Sequence, residues 1–257
     1  WGDGKDYGYH IARTREQAID LFLGIAHYSL GLGASRIHNW CWKDDAHRVF
    51  PWGMIYPCDG VPKDTAYVHR NQSLLFRHFA PVYREPNVFV LTPDSHRLGG
   101  GKWQVIEGVL KCFDLAIATH PENLGTLNEL DLKIPPSAKV IFWPLPFCPT
   151  DDTYAKVRDW VKKGGALYLS GDISYDELRQ RTRTNRLEEL CGVRFLAERY
   201  ANIQVNATNA ADQPCIKVEA AGGRILAHAS DGSPLLVENQ LGKGRVLFTT
   251  DPLELHA

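Results

Sequence analysis

The stretch Trp160-Val-Lys-Lys-Gly-Gly-Ala-Leu-Tyr-Leu-Ser-Gly-Asp172 decides the fold class of this 257-residue chain. It contains the end of a helix that the sequence predicts over 150–161, a glycine pair that stops the helix, and a short apolar strand over 166–170. A helix that leads straight into an apolar strand is typical of a β-α-β unit, in which neighbouring strands run parallel. The stretch therefore predicts an α/β fold.

The same alternation extends toward the N-terminus. Further strands are predicted over 87–92, 115–119 and 139–143, and further helices over 103–113 and 174–190. Each strand is nearly continuous in apolar residues, as expected for a parallel sheet that helices cover on both faces. The C-terminal part predicts antiparallel hairpins instead, because short strands alternate there with glycine-rich turns, over 215–219, 224–228, 235–238 and 245–249.

Residues 1–83 follow a different pattern. After a loop over 1–13, Thr14 and Gln17 form a capping-box pair that opens a helix, and glycines end that helix before a predicted strand, Ile37–Asp45. A proline-rich loop follows, and then a second helix over 65–79 with Asp64 as its N-cap. We therefore expect two domains, 1–83 and 84–257.

Composition narrows the classes of partner. The formal net charge of −1 provides no general field for nucleic acid or an anionic membrane, so neither is expected as a partner. The six cysteines are widely spread, without metal-ligand spacing, and are expected to be mostly buried thiols. We accordingly expect no metal and no cofactor.

The predicted strand at Ile37–Asp45 holds the strongest candidate binding residues. Strand alternation would place His38, Trp40 and Trp42 on one face and Asn39 on the other, beside Lys43, Asp44 and Asp45 at the strand's end. An indole ring next to polar side chains suits a carbohydrate, because the C–H face of a sugar stacks on the ring while its hydroxyls form hydrogen bonds. The alternative is that both tryptophans belong to the core and the two aspartates cap a loop.

Two other kinds of site are disfavoured. The glycine-rich segments at 97–102 and 242–244 match neither the dinucleotide-binding nor the P-loop pattern, and the second is more simply a hairpin turn. A nucleophile would be expected at the tight turn after the strand over 166–170, but Ser170 stands there without a G-x-S-x-G pattern. Cys148 follows another strand, but Pro146 and Pro149 flank it and no base is matched to it.

Two ordered sets of motifs resemble the β-galactosidase-type glycoside hydrolases of clan A. Residues of the first domain resemble the last strand and helix of their (β/α)8 barrel, namely Gly33-Ala34, Asn39-Trp-Cys-Trp42 and Asp59-Gly-Val-Pro-Lys63. The second domain resembles their trimerisation domain, which is amidotransferase-like but lacks the catalytic cysteine. The matching stretches are Lys139–Pro144, Trp160–Asp172, Leu190–Val193, Asp231–Asn239, Gly242–Phe248 and Asp251-Pro252.

The resemblance implies the last βα units of a TIM barrel, followed by a flavodoxin- or amidotransferase-like parallel α/β sandwich that ends in antiparallel strands. A whole barrel takes roughly 250 residues, so we expect this chain to be part of a longer protein and inactive alone. The catalytic carboxylates would lie on earlier barrel strands, and the catalytic residues are therefore unknown. Trp42 is implied as an aromatic wall of the sugar subsite, and Trp40, His38, Asn39 and Asp44 as further candidate contacts.

The implied partners are a carbohydrate substrate and further copies of the chain, for example in a trimer. Two alternatives stay open. The chain could be a non-catalytic module for assembly or interaction, or an amidotransferase-like hydrolase that uses Ser170 or Cys148.

Overall fold

The structure is a computed structural model that describes residues 14–31, 33–39, 41–45, 53–79, 84–94, 103–119, 123–146, 148–199 and 215–256. The chain divides into two compact units, Trp1–Tyr83 and Arg84–Ala257. The predicted loop over 1–13, the glycine-rich segment at 97–102 and Trp40 lie outside the described residues.

The first unit is built on two helices, α1 (Arg15–Gly31) and α2 (Asp64–His78). The predicted capping box at the start of α1 is confirmed, since Thr14 N–H donates to Gln17 Oε1 at 2.9 Å and Gln17 N–H donates to Thr14 Oγ1 at 3.3 Å. The helices contact each other through edge-to-face rings, with Phe22 against His69 at 5.7 Å between centroids.

Two predictions for the first unit were wrong. The N-cap of α2 is Lys63, and Asp64 is already the first helical residue. The predicted strand over Ile37–Asp45 is not a regular strand in its described residues, where Lys43 forms only a one-residue parallel bridge to Ile55. A strand needs a neighbour along its length to satisfy its backbone groups, and this segment bonds to a short loop instead.

The second unit contains a seven-stranded sheet. Five of its strands run parallel, in the order β2 (Leu124–Asn128), β1 (Val88–Thr92), β3 (Val140–Trp143), β4 (Ala166–Ser170) and β9 (Gly244–Thr249). Two more strands, β8 (Pro234–Leu241) and β7 (Arg224–His228), extend it antiparallel beyond β9. The predicted α/β class with antiparallel strands at its C-terminal end is therefore confirmed.

The helices cover the sheet as the apolar strands predict. The helix α4 (Asp151–Lys162) begins at the N-cap Thr150 and packs Val157 and Val161 into the main core with Leu167 and Leu169 of β4. The helix α3 (Trp103–Thr119) buries Val109, a member of a second cluster that includes Val88 and Val90. Two hydrophobic layers therefore enclose the parallel strands.

The prediction of a strand over 115–119 was wrong, because α3 continues to Thr119. Val109, Cys112 and Ala116 recur at helical spacing and face the core, whereas Leu115 is 45% exposed. The strand that follows α3 is instead β2, which lies at the edge of the sheet.

The prediction of a helix over 174–190 was also wrong. The helix there is α5 (Arg186–Cys191), which begins at the N-cap Asn185. The segment before it is a turn, since the Asp176 carboxylate accepts the N–H groups of Leu178 and Gln180 at 2.9 and 2.8 Å, and Arg179 has a φ of +58°. A side chain that satisfies these backbone donors removes the need for a helix.

A separate two-stranded sheet completes the unit. It pairs β5 (Val193–Arg199), which the sequence did not predict, with β6 (Cys215–Ala220) in antiparallel register. The predicted hairpin turn at 242–244 is confirmed between β8 and β9. Gly244 is required in that turn, because a Cβ there would lie 1.9 Å from the Val161 carbonyl oxygen.

Candidate functional site

Two of the candidate binding residues, Trp42 and Asp44, lie in a compact loop pair, which we call the tryptophan knot: residues 41–45 and 53–63. The Trp42 carbonyl accepts the N–H groups of Met54 and Ile55 at 2.9 and 3.1 Å. Asp44 N–H donates to the Ile55 carbonyl at 3.1 Å, and Lys63 N–H donates to the Met54 carbonyl at 2.9 Å. The backbone around Trp42 is therefore tied on both sides, although it forms no strand.

A buried ion pair lies inside the tryptophan knot. Lys63 Nζ lies 2.7 Å from Asp44 Oδ2 and 2.9 Å from Asp44 Oδ1, and the two side chains are only 10% and 7% exposed. Asp44 Oδ1 also accepts Gly53 N–H at 2.7 Å. Only glycine fits at position 53, because a Cβ there would lie 2.4 Å from the Asp44 nitrogen.

Asp44 was predicted as a contact for substrate, and that role stays a prediction. Both of its carboxylate oxygens already bind partners within the chain, and the residue is buried. The geometry favours a role for Asp44 in holding Trp42 in place. Lys63 and Gly53 were missed as members of the site, because neither carries a local signal of its partner.

Trp42 itself is 70% exposed, the second highest exposure among the large apolar side chains that the structure describes. This exposure disfavours the alternative that Trp42 is a core residue. His38 is exposed and Asn39 is half-buried. The predicted grouping of His38 with Trp42 on one strand face depended on a strand that the described residues do not form, so their contact with a common ligand stays a prediction.

Tyr56 extends the exposed aromatic surface of the knot. Its ring is 41% exposed and lies 5.2 Å from Lys63 Nζ, within range of a cation–π contact. Lys63 therefore contacts both the buried carboxylate and an aromatic ring at the surface.

In the second unit, Ser170 ends β4 in a buried hydrogen-bond network. Its hydroxyl donates to Glu254 Oε1 at 2.5 Å and accepts Leu145 N–H at 3.0 Å, while Tyr168 Oη donates to Glu254 Oε2 at 2.5 Å. Burial raises the pKa of the Glu254 carboxyl. Ser170 is fully buried, and its hydroxyl has a structural role. The sequence likewise disfavoured Ser170 as a nucleophile.

A second buried carboxyl lies at the carboxyl ends of β1 and β2. Glu129 accepts Asp94 N–H at 2.7 Å and Trp143 Nε1–H at 2.6 Å, and burial raises its pKa to about 7. It lines a small cavity together with the buried Cys148. Sequence reasoning missed Glu129, which had no motif around it.

The sequence matches no protein-family model and no curated protein. Solved structures do match the fold. A GH42 β-galactosidase from G. stearothermophilus superposes with a TM-score of 0.70 at 13% identity, over 95% of this chain and 39% of that one. The chain has the fold of the C-terminal part of GH42 β-galactosidases.

Two further solved structures match the fold of this chain. A β-galactosidase from the Antarctic haloarchaeon Halorubrum lacusprofundi has a TM-score of 0.71 at 12% identity, over 96% of this chain and 39% of that one. An exo-β-1,4-mannosidase from Opitutaceae bacterium strain TAV5 has a TM-score of 0.58 at 20% identity, over 84% of this chain and 41% of that one. The chain spans about two fifths of the length of these enzymes.

The match confirms the predicted fold class and the resemblance on which it depended. At these identities it establishes the GH42-type fold, and the activities named are those of the matched enzymes. Within the described residues, no helix is long and apolar enough to cross a bilayer. The same residues contain no group of three His, Cys, Asp or Glu side chains placed to hold a metal ion.

Proposed function

We propose that this chain is part of a glycoside hydrolase that cleaves β-galactosides or related glycosides. The observation that supports this most is the likeness of fold to glycoside hydrolases, which covers 84% to 98% of the chain in three of them. The motifs that resemble the family lie in the same order along the sequence, from the barrel end to the second domain.

The catalytic acid and nucleophile are proposed to lie on barrel strands outside this sequence. A complete (β/α)8 barrel takes roughly 250 residues, and the first unit has 83. A retaining glycosidase needs two free carboxyl groups about 5–5.5 Å apart. Asp44, the buried carboxylate of the tryptophan knot, is paired with Lys63 and is not proposed as one of them.

Trp42 is the proposed sugar platform. An exposed indole on a fixed backbone offers a flat apolar face without an ordering cost on binding. His38, Asn39 and Trp40 are the proposed hydroxyl and ring contacts beside it, and Asp44 holds the platform through Lys63 and Gly53.

The test is a Trp42→Ala substitution in the full-length protein, assayed on aryl β-galactosides. Loss of one stacking contact worth roughly 1.4 kcal/mol would lower kcat/KM about tenfold. Trp42→Phe keeps an aromatic face and should retain most activity. Tyr67→Ala is the matched control, since Tyr67 is a 49% exposed aromatic residue on α2 outside the knot. An unchanged specificity constant in Trp42→Ala would show that Trp42 is not the platform.

The second unit is proposed to serve assembly of the protein rather than chemistry. Its Ser170 is sealed in the Glu254 network, and several large apolar side chains are exposed, including Leu110 at 58% and Leu115 at 45% on α3. Sedimentation velocity should show an oligomer, such as a trimer, and Leu110→Glu with Leu115→Glu should weaken it. A monomer at all concentrations would contradict this role.

A further inference from the structure

A concave site lies in the second unit, apart from the residues assigned above. It is a groove of about 640 Å³ between one face of α4 and the turn at 176–184. Three guanidinium side chains line it: Arg158, Arg181 and Arg183. We call it the arginine groove.

The carboxylates that line the arginine groove are committed to other partners. Asp151 Oδ1 accepts a hydrogen bond from Nη2 of the fully buried Arg186 at 2.5 Å. Asp176 accepts the backbone N–H groups of Leu178 and Gln180. Asp151 is therefore paired with a cation outside the groove lining, and the lining holds three arginines against two carboxylates.

Two of the three arginines retain an uncompensated charge. Arg158 pairs with Asp159 at 2.8 Å and lies 3.6 Å from Glu189. Arg181 and Arg183 are exposed, and neither makes an ion pair within the part of the chain that the structure describes. They lie two residues apart, so their Cα atoms are at most about 7 Å apart. One small ligand can reach both.

The groove is held in place before any ligand binds. The Arg181 guanidinium lies 4.1 Å from the Phe195 ring centroid and 5.0 Å from that of Tyr175. The Arg181 backbone forms a bridge with Tyr175, and Thr182 N–H donates to the Ser174 carbonyl at 2.9 Å. A fixed guanidinium fork favours bidentate binding of an anionic oxygen pair at a low entropic cost.

We propose that the arginine groove binds a small molecule carrying at least two anionic groups, phosphate or carboxylate. The volume lies within the range of small-molecule sites, about 300–1,000 Å³. The ligand's two anionic groups would bind Arg181 and Arg183, and Gln180 and Thr182 offer neutral hydrogen-bonding groups beside them. Binding here does not depend on the glycosidase function proposed above.

Isothermal titration calorimetry of the 257-residue chain with pyrophosphate and with citrate, at low salt, tests this. We expect at least one of them to bind, and binding to weaken severalfold when sodium chloride is raised, because salt screens exposed charges. Pyrophosphate alone would identify a phosphate ligand, and citrate alone a carboxylate ligand. No binding of either at millimolar concentration overturns the proposal.

Variants locate the site. Arg181→Gln with Arg183→Gln should weaken binding at least tenfold, and Arg181→Lys should weaken it less, since lysine keeps the charge without the fork. Among the described residues Arg183 forms no hydrogen bond or ion pair, so Arg183→Gln alone tests the site without disturbing the turn. Arg224→Ala, on β7, is the control and should bind as the unaltered chain does. Unchanged affinity in the Arg181, Arg183 double variant overturns the proposal.

Discussion

Replacing Asp44 with Asn should open the tryptophan knot. The substitution keeps an oxygen that can accept Gly53 N–H but removes the charge that faces Lys63 Nζ at 2.7 Å. Removing one partner of a buried pair typically costs 3–5 kcal/mol, because the other charge stays buried without compensation. The retained Gly53 bond places the expected cost at about 3 kcal/mol.

This cost should be measured locally, since a chain of two units has no single unfolding free energy. Hydrogen exchange with mass spectrometry reports the opening of peptides over 53–63, whose Met54, Ile55 and Lys63 amides are bonded within the knot. A cost of 3 kcal/mol corresponds to an increase of about 150-fold in the opening equilibrium. Peptides over β8 and β9, in the second unit, provide the internal control.

A double-mutant cycle separates the ion pair from other effects. Lys63→Met leaves the Asp44 carboxylate buried and alone, so it should accelerate exchange by a similar factor. Asp44→Asn with Lys63→Met removes both charges, and we expect it to cost about 2 kcal/mol less than the sum of the single changes. Unchanged exchange over 53–63 in Asp44→Asn, or strict additivity in the double variant, would refute the proposal that the Asp44–Lys63 pair holds the tryptophan knot closed.

Three further predictions concern the second unit. Ser170→Ala should lower its free energy of unfolding by about 1–3 kcal/mol, because Leu145 N–H loses its buried acceptor; an unchanged urea midpoint would contradict this. Burial raises the pKa of Glu129 from 4.5 to about 7, so its stabilising contribution is present below about pH 4.5 and is lost as the pH rises through 7, by about 3 kcal/mol. Urea unfolding between about pH 5 and 8 should show this slope, and Glu129→Gln should remove the slope, because an amide does not titrate in this range. Gly244→Ala should destabilise the second unit by about 1–3 kcal/mol or more, because the added methyl group would contact the Val161 carbonyl. As a control, Gly24→Ala in α1 of the first unit places the methyl group in open space and should be neutral or stabilising in circular dichroism melts.

Elements with strong local signals were predicted from the sequence. The start of α4 is set by the Thr150 side chain, which accepts Thr153 N–H at 3.1 Å, and that cap is visible as Thr-Asp-Asp before an amphipathic run. The strand β4 matched its predicted bounds, because five apolar residues between a glycine pair and Gly171 leave little other choice. The residues that determine each of these two elements lie within about ten positions of it in the sequence.

Elements decided by distant contacts were missed. The strand β2 includes Gly125, where a Cβ would lie 2.6 Å from the Phe89 ring. A glycine is needed at this position because β2 approaches Phe89 of β1 closely. Ser174 and Glu177 have the spacing of a capping box. The backbone N–H groups of Leu178 and Gln180 donate to the Asp176 carboxylate instead, so no helix begins there. Competing local hydrogen bonds of this kind cannot be ranked without the three-dimensional arrangement.

The candidate binding site could also be predicted only in part from the sequence. The sequence pointed to Trp42 and its neighbours because aromatic and polar residues cluster there, and Trp42 is exposed in the structure. What holds Trp42 is an ion pair between residues 19 positions apart, Asp44 and Lys63, and nothing in the spacing of the two reveals it. Asp44 was predicted as a contact for a sugar, but it is buried and paired with Lys63. A carboxylate that is buried against an ammonium group is not accessible to a ligand, so the polar contacts to a sugar would have to come from accessible side chains. The exposed His38 and Lys43 and the half-buried Asn39 and Asp45 are the described polar side chains close to Trp42 in sequence.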